Sequence, residues 1–69
     1  MKYITTKNNN IIIFGKGLGH NEVASIHGVT PRGAGFINIE TGKCYGESIS
    51  LGIEVHEDDE RTFRFHRDN

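Results

Sequence analysis

Ile11-Ile12-Ile13-Phe14-Gly15-Lys16-Gly17-Leu18-Gly19-His20-Asn21-Glu22 is the stretch on which the reading of the fold turns. Four consecutive apolar residues read as a strand buried on both faces, as at the centre of a sheet. The alternating glycines allow a sharp turn. Asn21 can cap a helix, and Glu22 suits the positive end of its dipole. Val23, Ala24 and Ile26 continue that helix, with Val23 and Ile26, three apart, directed to the core. Gly28 offers a left-handed stop, which sets a short helix at about 20–27. Strand, glycine loop and helix start is an order that many phosphate sites share. Lys16, Gly17, Gly19, His20 and Asn21 are therefore candidate ligands for a small anion or nucleotide. The order also serves a bare turn: His20 stands where the dinucleotide fingerprint has its third glycine, and no G-x-x-x-x-G-K-[ST] run exists.

Flanking segments extend the pattern. Tyr3, Ile4, Thr5 and Thr6 favour a strand, and Lys7-Asn8-Asn9-Asn10 is a turn, because asparagine tolerates the left-handed region. With residues 11–14 this predicts a β-hairpin. Residues 29–32 read as a connector, since Pro31 bars a central strand there. Residues 33–40 and 43–51 form the clearest hairpin, turning at Thr41-Gly42, with Ile49 and Leu51 alternating against Ser48 and Ser50 as a half-buried strand. The C-terminal segment has two readings. Read with period 2, Ile53 and Val55 alternate before the acidic loop Glu57-Asp58-Asp59-Glu60 and Phe63 and Phe65 alternate after it, a further hairpin. As a helix, the acids occupy the first turn and Arg64, His66 and Arg67 the last, which suits the macrodipole. The alternation tips the balance slightly to the hairpin. The expected fold is α+β: one domain over residues 1–69, an antiparallel sheet of four to six strands, one short helix, and a C-terminal hairpin or second helix.

Composition limits the function. A chain of 69 residues has a thin core, and nothing obvious staples it. The single Cys44 cannot form an internal disulfide, and no Cys/His cluster offers a zinc site, so a reduced, cytoplasmic setting is expected. Eight basic against nine acidic residues give a net charge of −1, which disfavours a dedicated nucleic-acid or membrane-surface binder. No segment approaches the length of a membrane span.

The remaining constellations are weaker. Residues 22–37 resemble the helix-turn-helix of DNA-binding regulators, with Ala24 in the first helix, Gly28 at the turn and Thr30 opening a recognition helix that carries Arg32. That resemblance implies a continuous helix from about Thr30, although Gly33 and Gly35 would each cost it about 0.8–1.0 kcal/mol relative to alanine. Gly46-Glu47-Ser48-Ile49-Ser50 lacks the closing glycine of a nucleophile elbow. Cys44 and four scattered histidines have no spacing that requires a nucleophile–base pair. The acids between Glu54 and Asp59 lack EF-hand spacing, so neither a metal nor a cofactor is expected. What remains is a non-catalytic protein-interaction module, an adaptor, inhibitor or assembly component, with a protein partner or a second copy. Its expected contact is the cluster Glu57, Asp58, Asp59 and Glu60. The alternatives are the glycine-loop ligand site and DNA binding through 22–37.

Overall fold

The chain reverses where its turn residues tolerate positive φ. Asn9 (φ 64°) joins β1 (Lys2–Thr6) to β2 (Ile11–Phe14), and Gly42 (φ 78°) joins β3 (Pro31–Asn38) to β4 (Lys43–Tyr45). Gly28 (φ 63°) ends α1 (His20–His27) in the left-handed conformation that glycine adopts without a Cβ penalty. These elements, with β5 (Glu47–Ser48), β6 (Ile53–Glu54) and α2 (Asp59–Asp68), come from a computed structural model that describes residues 1–68. The sheet is antiparallel in the order β2-β1-β3-β4, and β5 and β6 form a separate two-stranded ladder. The architecture is α+β, as the sequence predicts.

Strand alternation divides the core into two clusters. Ile4, Phe14 and Ala34 face α1 and pack on Val23 and Ala24, with Ile12, Leu51 and Ile53 around them. Tyr3 and Ile37 face α2 and pack on Phe63, with Ile11, Ile13, Cys44 and Val55 around them. Central strand β1 is therefore covered on both sides, Tyr3, Ile4 and Thr5 having no exposed surface. One helix lies on each face of the sheet.

Several sequence expectations change. β2 buries side chains on both faces but lies at the sheet edge, not its centre. Asn21 does not cap α1; Gly19 holds that position, and the Glu22 carboxylate accepts the Gly19 N–H at 3.0 Å. Ile26 is 74% exposed, because the buried stripe runs through His20, Val23 and Ala24 and leaves Ile26 on its flank. Pro31 opens a central strand after all. It sits at the register shift opposite Thr6, where a missing N–H interrupts no ladder bond. The strand expected through 51 stops at Tyr45, since Gly46 adopts φ 77° and turns the chain. Residues 31–38 are strand, so the recognition helix of the helix-turn-helix resemblance does not exist.

The C-terminal segment is a helix, not the hairpin its alternation favours. Acids in its first turn and His66 and Arg67 in its last suit the macrodipole. His56 caps it: its Nδ1 accepts the Asp58 N–H at 3.1 Å, while the Asp59 carboxylate accepts the His56 N–H at 2.8 Å. The two phenylalanines then diverge, Phe63 entering the core and Phe65 remaining 64% exposed.

Candidate functional site

Two regions gather polar side chains, and they differ in what they leave available. The first is a buried hub beneath α2. Asp59 has no exposed surface and accepts hydrogen bonds from Tyr3 Oη (2.5 Å), Thr5 Oγ1 (2.6 Å), Arg32 Nη2 (3.3 Å) and the His56 amide. Strand register brings Tyr3 and Thr5 to one face, and Thr5 stands opposite Gly33. Gly33 makes room: a Cβ there would lie 2.2 Å from Asp59 Oδ2. Arg32 also donates to Thr62 Oγ1 (2.8 Å) and Asn9 Oδ1 (2.6 Å), tying the β1–β2 turn to α2. Burial, then the bond to Asp59 and its charge, raise the Tyr3 phenol far above its ordinary value. Burial pushes the Cys44 thiol up to about 11, with the Asp59 and Glu60 charges adding to it and a bond to Tyr3 opposing. Such a thiol is protonated and inert at neutral pH.

This hub absorbs much of the acidic cluster expected to meet a partner. Asp59 is interior, Glu60 accepts the Cys44 N–H at 2.9 Å, and Asp58 pairs with Arg61. Only Glu57 is exposed with no side-chain bond among the described residues. Donor atoms of His56, Glu57 and Asp58 lie within 4.8 Å of one another, but His56 Nδ1 and the Asp58 carboxylate already have protein partners. A second hollow of about 270 Å³ beside Asn9, Arg61, Thr62 and Phe65 adjoins this region.

The second region lies on the α1 side. An open groove of about 520 Å³ runs between the start of α1 and residues 46–50. Gly19, His20 and Asn21 line it; Lys16 and Gly17 stand outside it on the exposed loop. The loop amides are partly committed. Gly19 N–H meets the Glu22 carboxylate and Asn21 N–H donates to Ser50 Oγ at 3.3 Å, so a carboxylate already occupies the helix N-terminus. His20 is a wedge: its Nε2 donates to Gly35 O at 2.9 Å, and its ring packs edge-on to Phe14 and Phe36. Lys2 donates to Leu18 O at 2.9 Å.

Lys2, Phe36, Gly46, Glu47, Ile49 and Ser50 complete the lining of the groove. Phe36, half-buried, stacks on Tyr45 at 5.8 Å, and Ile49 stands 87% exposed in the turn after β5. Sequence reasoning missed these three, because Ile49 alternates with serines and looks like one face of a strand. Ser48 is buried and accepts the Leu51 N–H at 3.2 Å, a turn role rather than a nucleophile's. Comparison of the chain with protein-family models, with curated proteins and with solved structures finds no match in any of the three.

Proposed function

We propose that the chain is a non-catalytic interaction module that receives a protein partner in the groove between α1 and residues 46–50. The observation that carries this is Ile49, 87% exposed, lining a groove of about 520 Å³ with half-buried Phe36, on which Tyr45, 56% exposed, stacks. Single exposed apolar residues are ordinary, but a contiguous set bordering a concavity marks a surface that gains by being covered. The inert Cys44 thiol and the turn-bound Ser48 support a binding role over covalent chemistry. The lone thiol also fits the intracellular setting expected from composition. Affinity capture from the native cell tests the reading. Partners retained by the full chain are expected to be lost by Ile49→Asp, which leaves the core untouched. Identical capture by both chains overturns it.

A second copy is the other partner that an observation favours. The Thr6 N–H bonds Asn10 O across the first hairpin, so even-numbered β1 residues face β2. Alternation then turns the main chain of Ile11 and Ile13 to the outer edge. At the opposite edge the Glu60 carboxylate covers the Cys44 N–H. Edge pairing through β2 predicts a sedimenting dimer that Ile13→Pro, which removes an outward N–H, abolishes.

A further inference from the structure

The rim of the groove carries two carboxylates that the fold sets side by side. Glu47 stands directly opposite Glu54 in the β5–β6 ladder. Opposed residues of an antiparallel pair project to the same face, with Cβ atoms about 4.5–5.5 Å apart. Their neighbours Ser48 and Ile53 project the other way: Ser48 is buried and Ile53 packs on the α1-side core. Both glutamates are exposed, and neither side chain has a hydrogen bond or ion pair among the described residues. Like charges directly opposite destabilise a strand pair, and a ladder of two residues per strand has little to offset them. Glu47 lines the groove with Phe36 and Ile49. Tyr45, two residues before it, stacks on Phe36 and is more than half exposed. Lys2, a cation in the groove lining, is held by Leu18 O.

We infer that the partner presents an arginine next to an apolar anchor. The guanidinium lies between Glu47 and Glu54 and against the Tyr45 ring, while the anchor side chain enters beside Phe36 and Ile49. This rests on the interaction reading above and specifies its partner. Arginine fits better than lysine, because its planar fork spans two carboxylates and stacks on an aromatic face. The partner also relieves the repulsion that the free protein carries.

Amide NMR of the full chain, titrated with the N-acetylated, C-amidated tetrapeptide Ala-Arg-Phe-Ala, tests the inference. Saturable shifts are expected at the amides of Tyr45, Gly46, Glu47, Ile49 and Glu54. The peptide with glutamine in place of arginine, and the Glu54→Gln protein with the original peptide, are each expected to bind roughly fivefold more weakly. Equal binding of the two peptides in the groove overturns the arginine inference and leaves the interaction reading standing. Shifts confined to residues away from the groove, or none with either peptide to about 10 mM, also overturn it. The interaction reading is then decided separately by the Ile49→Asp capture.

Discussion

The two faces of the sheet solve burial in opposite ways. Under α2 the core includes a fully buried carboxylate, surrounded by Tyr3, Thr5, Arg32 and the His56 amide, with Gly33 shaped to admit it. Under α1 the core is apolar apart from the His20 wedge and buried Ser48, and a groove opens beside it at Phe36 and Ile49. The hub is specific: four donors converge on Asp59 in one arrangement, and Arg32 Nε is left as a buried donor with no partner among the described residues. An apolar surface has no such closure and is stabilised by whatever covers it. The α2 face thus holds the buried polar hub, and the α1 rim is the surface that we propose receives a partner.

The largest test of this contrast is Asp59→Ala. It leaves the donors of Tyr3, Thr5, Arg32 and His56 buried without their acceptor, so a loss of about 3–5 kcal/mol is expected. A chain of 69 residues has total stability of only about 3–10 kcal/mol, so the variant should be largely unfolded by far-UV circular dichroism. A variant that keeps the parent's urea midpoint would show the hub to be dispensable.

Tyr3→Phe removes one donor and sharpens the comparison through pH. At neutral pH it is expected to cost about 1 kcal/mol. The phenol is raised in the folded state, so its contribution is fully present below the unfolded value near 10.0 and declines as pH rises beyond it. Cys44, raised to about 11 from an ordinary 9.0, starts the same decline about a unit earlier. Urea midpoints measured from neutral to alkaline pH should fall for the parent above about pH 9 and fall less steeply for Tyr3→Phe above about pH 10. Parallel slopes would remove Tyr3 as the group responsible.

The smallest expected effect is on the other face. Glu54→Gln relieves the repulsion with Glu47 and should raise stability by a few tenths of a kcal/mol in thermal melts. Weakened arginine-peptide binding with raised stability separates a surface kept for a partner from one kept for the fold. A destabilised Glu54→Gln would instead give the carboxylate a structural role.

How much of this was legible depended on how local each cause was. The hairpin turn at Asn9, the stop at Gly28 and the Thr41-Gly42 turn were read correctly, because positive φ is a property of single residues. Pro31 was misplaced, because the register shift that accommodates it comes from β1. Among the candidate ligands, Gly19, His20 and Asn21 do border a groove, but its other wall comes from Phe36 and residues 46–50. No spacing within the glycine loop announces that wall.

The C-terminal segment shows the division most clearly. Its sequence alone admitted both a hairpin and a helix, since Phe63 and Phe65 satisfy period 2 while the charges satisfy the helix dipole. Sequence by itself determined the α+β class, the strand-forming runs and the points of reversal, all of which follow from local backbone preference. Tertiary structure decided that α2 is a helix, that Asp59 is interior and that Ile49 is exposed. A buried carboxylate is tolerable only where several donors converge on it, and these come from β1, β3 and the helix cap, brought together by folding alone.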